Sequence, residues 1–568
     1  MRKKKGLLAT AITTVILLVA FSLLGYVIAP HWVPQDSTAT IDLGSTSTAI
    51  ASNNTTNDTV GTYDVTEATV PVDLDDGTTI DAIVRMPVAH AGGQRLAASV
   101  PGCMLITGAG LGKATEVYGD IAWSMASAGV ATIVPDKNMT DYSWQHRDYV
   151  KMAHDYEKTL DVLEAWPGVD PEGVGLYAES EGAWITPIIA SERSDVSFSI
   201  MTSAPVCTPR QQMTYAIDDY FRVLDVPFPT NQITSRITTL EMSGIGPNYA
   251  DFDVTPYLAR QTQPTLFVYG TNDLSMPTIQ APEHARRIMA DNGNTNTLVR
   301  YYRGANHQMR VGDAKAKKDL PLADNFIQDM ADFAQDAKIS ETLGWSTPDV
   351  AGNDTPWQAT DVDTDQLVSS VGSGLVGSVR GLLILQGGAI VMQLITLLGV
   401  PVLHSLRRRR IRKETALAQL EANSSPDSAA TGNIIVKHEM LSREARRRPG
   451  FAEGMSGRLW ACGLATFLTT LLWLGYVAYT AYSVFKLSTN HTLLVVWQGA
   501  ARLLVVVCTA AFASLVVHMV RTEIAHRRKP LDERPSVSGA GHIAWTVVYF
   551  IGVVFSFIMF MYWGLFLV

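Results

Sequence analysis

The sequence predicts an α/β architecture, a mostly parallel sheet with helices on both faces, joined to five membrane-spanning α-helices. Two observations carry this expectation. Between about residues 62 and 338, short β-branched and apolar runs alternate with amphipathic helical stretches, the pattern of strand–helix–strand units. Elsewhere, five apolar runs reach the length a bilayer needs. The 47% apolar content of the 568 residues therefore conceals two very different populations.

Residues 1–5 carry Arg2-Lys3-Lys4-Lys5 and precede the first apolar run, 6–29. Pro30 directly after Ala29 spoils a small-residue cleavage site, so the run reads as an uncleaved signal anchor. Residues 30–60, rich in Ser, Thr and Asn and without periodicity, read as a flexible linker. The α/β domain is expected over 61–338. It opens with β-runs at 62–74 and 79–88 around the turn Asp75-Asp76-Gly77. Strands follow at 100–106, 130–135, 173–178, 198–203, 264–270 and 297–302, with helices near 115–128 and over 148–166. Residues 206–263 contain no sheet strand, and Leu320–Lys338 reads as a closing amphipathic helix. A second linker, 339–380, leads to apolar spans at 381–405, 459–485, 492–520 and 542–567, separated by loops at 406–458 and 521–541.

The Lys/Arg bias orients these spans. Arg2–Lys5, Arg407–Lys413, Arg446-Arg447-Arg448 and Arg527-Arg528-Lys529 all fall on one side of a five-span chain, the cytoplasmic side, which puts residues 30–380 outside. That exterior holds about 45 acidic and about 21 basic residues, against a net charge of −9 for the whole chain. Such an acidic surface argues against nucleic acid as a partner. Membrane lipid is the expected neighbour of the spans, and the basic 406–458 loop suits anionic headgroups. Cys103 and Cys207 share the exterior, but their positions in the expected sheet lie too far apart for a disulfide.

The chemistry is concentrated in three strand ends. Residues 174–182, Val-Gly-Leu-Tyr-Ala-Glu-Ser-Glu-Gly, form an apolar β-run that breaks into small-x-Ser-x-Gly and then an apolar helix. This is a nucleophile-elbow pattern that presents Ser180. The run 264–270 ends in Thr-Asn-Asp and offers Asp273; the run 297–302 ends in Arg-Gly-Ala-Asn-His and offers His307. Ser, Asp and His in that chain order, each past the end of a strand, match an α/β-hydrolase triad in which His307 is the base and Asp273 orients it. His146 and His154 lie at or near one helix and read as ordinary helix-face residues, and His284 reads as a surface residue. No Walker loop or dinucleotide fingerprint occurs, so neither cofactor nor metal is expected.

The segments 178–191 (Ala-Glu-Ser-Glu-Gly-Ala-Trp-Ile…) and 198–205 (Phe-Ser-Ile-Met-Thr-Ser-Ala-Pro), with Asp253-Val-Thr-Pro-Tyr-Leu before the acid strand, resemble bacterial α/β-hydrolases of the dienelactone-hydrolase and prolyl-oligopeptidase-like group. The resemblance spans roughly 61–338. It implies the α/β-hydrolase fold, a cap at 206–263 that sets substrate choice, and a serine esterase or acyl hydrolase activity. It also implies an oxyanion hole from the N–H of Glu181 and of Ala109, with Gly110 as the alternative. The sequence departs from the group at Glu179, where His or Tyr is usual, and at Thr-Gly-Ala-Gly-Leu-Gly (107–112), in place of a His-Gly-Gly loop.

The leading expectation is a membrane-anchored extracytoplasmic serine hydrolase cleaving an ester, with acylated lipids or glycolipids of the envelope as the natural class. An acyltransferase on the same triad shares the acyl-enzyme and stays open; a peptidase is a third option. A transport or sensory protein with a hydrolase-like ectodomain is the alternative of another class, because four further spans exceed what anchoring requires. Its weakness is the lack of an obvious ion pathway, the conspicuous polar groups being Gln386, Gln393, Gln498 and Arg502.

Overall fold

The computed structural model describes residues 2–52, 57–90, 96–110, 112–228, 230–315, 317–362, 364–423, 449–530 and 532–566. The Arg446-Arg447-Arg448 cluster lies outside the described residues. The chain divides into two compact units, one of residues 32–223 and 242–370 and one of residues 1–31, 224–241 and 371–568.

The first unit is built on a nine-stranded sheet of order β1-β2-β4-β3-β5-β6-β7-β8-β9. Its strands are β1 (Asp64–Asp73), β2 (Thr79–Val88), β3 (Val100–Ile106), β4 (Ala131–Pro135), β5 (Val169–Glu179), β6 (Ser199–Thr202), β7 (Thr265–Gly270), β8 (Thr297–Tyr302) and β9 (Val350–Gly352). β1 and β2 pair antiparallel and β2 joins β4 antiparallel; every other pairing is parallel. The inner strands are buried on both faces, which is why they read as continuous apolar runs.

Alternation along the strands divides the core into two layers. Met104 and Ile106 of β3, with Val174, Leu176 and Ala178 of β5, point to one side, where helices Tyr149–Glu164, Gly182–Glu192 and Gln280–Asp291 supply Leu160, Ile185, Ile188 and Ala285. Cys103, Leu105 and Tyr177 point to the other, against Met125 and Phe333 of helices Gly119–Ser127 and Phe326–Leu343. From β3 the chain first crosses to β4 on one side and later enters β5 on the other. The crevice between the C-terminal ends of β3 and β5 is thus the switch point of the sheet, where open α/β sheets bind ligands. Cys103 and Cys207 are both buried free thiols.

Two stretches differ from the sequence expectation. Residues 36–52 do not behave as a free stalk. They pair with the closing helix and the segment after it, through Ser37 N–H to Ala359 O (2.9 Å), Gly44 N–H to Val350 O (2.9 Å) and Ser52 N–H to the Asp336 carboxylate (2.7 Å). Arg300, buried in β8, gives a reason: its guanidinium donates to Thr48 O, Val299 O, Asp349 O and Thr347 Oγ1. A buried arginine is stable only with such partners. The segment expected as a second linker likewise contributes β9, parallel to β8.

Among the described residues, the second unit contains five helices long and apolar enough to cross a membrane: Arg2–Ile28, Val379–Asn423 (apolar over its first half), Met455–Lys486, His491–Arg528 and Ala540–Tyr562. Residues 224–241 belong to this unit, although they lie inside the stretch expected as a cap over the hydrolase pocket. Leu240 packs with Leu382, Leu385, Met559 and Tyr562. Gln498 donates to Phe228 O (3.1 Å) and Thr230 Oγ1 (2.8 Å), and Tyr476 shares a hydrogen bond with Thr230 (2.7 Å). Gln393 donates to Ser556 Oγ. Two of the polar groups conspicuous in the spans are thus engaged inside this unit.

Candidate active site

β5 enters the switch-point crevice as a buried run and ends at Glu179; the helix Gly182–Glu192 leaves it. Between them Ser180 has φ 56°, a left-handed conformation that a residue with a β-carbon rarely adopts. Its N–H is held by Thr202 O of β6 at 3.0 Å. The turn requires Gly182: a β-carbon there would sit 2.9 Å from Ile106 O and 3.1 Å from Ala178 Cβ. The strand-to-helix elbow read from the sequence is therefore formed, with the serine side chain half-exposed at its apex.

The loops after β7 and β8 bring the other two candidates together. His307 Nδ1 lies 3.0 Å from Asp273 Oδ2 and 3.2 Å from Oδ1. The Asp273 carboxylate is fully buried and also accepts from Ser275 N–H at 2.8 Å, while the His307 side chain keeps 22% of its surface. An aspartate on Nδ1 fixes that nitrogen as the donor and leaves Nε2 to face the cleft. Burial alone would lower the His307 pKa, but the charge and hydrogen bond of Asp273, aided by the charge of Glu179, leave it raised. Ser180 and His307 line one cleft of about 720 Å³ with Gly108, Ala109, Tyr118, Asp120, Glu179 and Arg310. Among the described residues no hydrogen bond joins Ser180 to His307, and such bonds often tighten only when substrate is bound.

A nucleophile elbow at the switch point, with an Asp–His pair on the adjacent strand ends, decides the fold family. The first unit has an α/β-hydrolase fold. Residues 152–312, which contain Ser180, Asp273 and His307, match the family model described as BAAT / Acyl-CoA thioester hydrolase C terminal. Among solved structures, the chain is similar to dienelactone hydrolase from Anabaena variabilis ATCC 29413, at 15% identity over 49% of this chain and 98% of that one, with a TM-score of 0.32. An acetyl xylan esterase from Paenibacillus sp. R4 matches at 16% identity over 50% and 86%, with a TM-score of 0.30. DcsB, solved in complex with its substrate analogue, matches at 14% over 48% and 99%, with a TM-score of 0.33. No curated protein matches the sequence.

The two carboxylates beside Ser180 point in different directions. Glu179 is 5% exposed and lines the cleft, and its carboxylate makes no hydrogen bond among the described residues. Its pKa is pushed up to about 7, mainly by burial, with Asp273 and Asp120 adding to the rise and His307 and Arg310 opposing it. Glu181 turns away from the cleft into a buried cluster, where it meets Lys137 Nζ (3.0 Å), Tyr142 OH (2.9 Å) and Arg147 Nη1.

The loop after β3 also differs from expectation. The Gly110 N–H donates to Tyr142 OH at 2.9 Å, so Gly110 is not a free oxyanion donor. Among the described residues, nothing takes up the N–H of Ala109 or of Glu181. The cap expectation changes too. Among the described residues, the cleft is walled by 107–109, 115–121, 179–180, 307–308, Arg310 and Lys318, with none from 206–263. The helix Pro209–Val223 instead braces the acid loop, through Gln212 to Ser275 O (3.0 Å) and Tyr220 OH to Ser275 Oγ (2.6 Å). His146 and His154 have separate partners, Asn248 and Glu192.

Lys137, Tyr142, Arg147 and Arg310 were not singled out from sequence. A signal for Lys137 existed: it follows β4, and every strand end of a parallel sheet opens on the same side.

Proposed function

We propose that the chain is a membrane-anchored serine hydrolase that cleaves an ester or thioester through an acyl-enzyme on Ser180. The observation that carries this reading is His307, held by the buried Asp273, in the same cleft as a serine at left-handed φ. His307 Nε2 takes the Oγ proton as Oγ attacks the carbonyl carbon; the carbonyl oxygen, now negative, is received by the N–H groups of Ala109 and Glu181. Collapse of the tetrahedral intermediate expels the alkoxide or thiolate, which His307 protonates, and water then repeats the sequence to release the acid. Asp273 holds the imidazole in the required tautomer and stabilises its cation.

The clustering of Lys and Arg at 2–5, 407–413 and 527–529 supports an extracytoplasmic catalytic unit. The helical unit supports lipid-linked acyl groups as the substrate class, since such substrates share the protein's two-dimensional environment. The test is full-length protein in detergent, assayed with a p-nitrophenyl ester chain-length series, acyl-CoA thioesters and membrane lipids, beside labelling by a serine-directed fluorophosphonate. Ser180→Ala should lose both turnover and labelling; retained turnover would remove Ser180 from the nucleophile role.

A further inference from the structure

Behind the cleft, outside the catalytic trio, lies a set of charged and polar groups whose cost in burial needs a counterpart. Lys137 Nζ and the Glu181 carboxylate are each only 1% exposed. Replacing such a pair by apolar residues is often neutral or stabilising, so stability alone is a weak reason for it. What distinguishes this cluster is what else it holds.

Lys137 reaches the loop after β3 twice. Its backbone N–H donates to Gly112 O at 2.7 Å, and its Nζ donates to Gly108 O. Tyr142 does the same from the other side: its hydroxyl accepts the Gly110 N–H at 2.9 Å and donates to Glu181 Oε2 at 2.9 Å. Arg147 closes the set on Glu181 and stacks over the rings of Tyr142 and Tyr249. The carbonyl before Ala109 and the amide after it are thereby tied to the side chain of the residue that follows Ser180. Those two backbone segments present the N–H groups of Ala109 and Glu181.

We propose that Lys137 and Tyr142 are positioning residues that, through the Glu181 carboxylate, fix the two backbone oxyanion donors at a set separation. This rests on the acyl-transfer reading above. It assigns Glu181 two roles from two atoms: its amide faces the reacting oxygen while its side chain anchors the opposite wall. Removing an oxyanion donor outright lowers kcat about 10²–10³-fold. Loosening one donor should have a smaller effect, about tenfold, and should appear in kcat more than in KM.

Tyr142→Phe is the decisive variant, because it deletes one hydroxyl and keeps the ring between Lys137 and Arg147; Lys137→Met is the second. Full-length proteins in detergent would be compared for kcat, KM, thermal midpoint and inhibition by an acyl trifluoromethyl ketone, which adds the serine to form a tetrahedral oxyanion. The expected result is a kcat loss of about tenfold in Tyr142→Phe with KM within about threefold, and an equal loss of inhibitor affinity. Unchanged kcat and inhibitor affinity in Tyr142→Phe, whatever its thermal midpoint, would overturn the positioning role alone. Retained turnover in Ser180→Ala would instead remove the acyl-transfer reading and this role with it.

Discussion

Ser180→Gly should make the protein more stable while abolishing its turnover, and the gain can be worked from one dihedral angle. Ser180 sits at φ 56°. A residue with a β-carbon in that region is disfavoured by about 1–2 kcal/mol relative to right-handed backbone. Glycine removes this strain but gives the unfolded chain more freedom, which returns about 0.4–1 kcal/mol. The net gain expected is about 0.5–1 kcal/mol. Ser180→Ala keeps the β-carbon and so keeps the strain, which makes it the matched control. No packing is lost in either variant, because the side chain is half-exposed at the elbow apex. Thermal unfolding of full-length protein in detergent, followed by circular dichroism, reads the difference. About 1 kcal/mol corresponds to roughly 2–4 °C in a domain of about 150–250 residues, and to somewhat less in a larger one. Neither variant should label with a fluorophosphonate. A Gly variant no more stable than the Ala variant would refute the claim that the elbow stores backbone strain at Ser180.

Glu179→Gln tests the carboxylate in the cleft. With its pKa pushed up to about 7, Glu179 is charged only above neutrality, where its field favours protonated His307. Removing that charge should move the acidic limb of kcat/KM to lower pH and narrow discrimination against anionic esters; an unmoved limb would count against it. The same raised pKa means that ionising Glu179 weakens the fold progressively as pH rises from about 4.5 through 7. The Gln variant should therefore gain stability over the parent at pH 8 and not at pH 4, which paired melts would reveal. Asp273→Asn should lower kcat by about 10⁴-fold with little change in KM, because the imidazole loses its tautomer-fixing partner; activity within a few-fold of the parent would place the acid elsewhere. For topology, a tag after Val568 should be accessible to protease in intact cells and one at Ser425 protected, both positions lying outside the described residues. The reverse pattern would overturn the orientation.

How much of this was legible in the sequence depended on how local the cause was. The elbow is local: Ala178, Ser180 and Gly182 spell out a turn that only small neighbours permit, so strand, nucleophile and helix could be read together. Asp273 and His307 were legible because each follows an apolar run whose neighbours in the sheet are fixed by parallel pairing. What escaped were contacts between groups far apart in the chain. The pairing of 36–52 with 345–361 depends on a buried Arg300 seeking carbonyls, and nothing in a Ser/Thr-rich stretch announces that. The loss of Gly110 as a free donor depends on Tyr142, whose place beside the loop no spacing rule fixes. Glu179 and Glu181 differ for a similar reason. Adjacent to a left-handed residue, they leave the backbone in different directions, and only Glu181 meets Lys137 and Arg147.

The residence of 224–241 in the helical unit has a consequence for how the protein is made. The segment emerges from the ribosome well before most of its partners: Arg236 and the Tyr562 hydroxyl that bonds its carbonyl are 326 residues apart. At about 5–20 residues per second, synthesis leaves this stretch waiting for tens of seconds. Leu240 and the carbonyls of Pro227 and Phe228 meanwhile lack the Leu382, Met559 and Gln498 that later cover them. Until the last helix arrives, these groups stay without the contacts that cover them in the finished helical unit. A fragment ending at residue 370 would lack those partners permanently, so it should be prone to chaperone capture or proteolysis within 224–241.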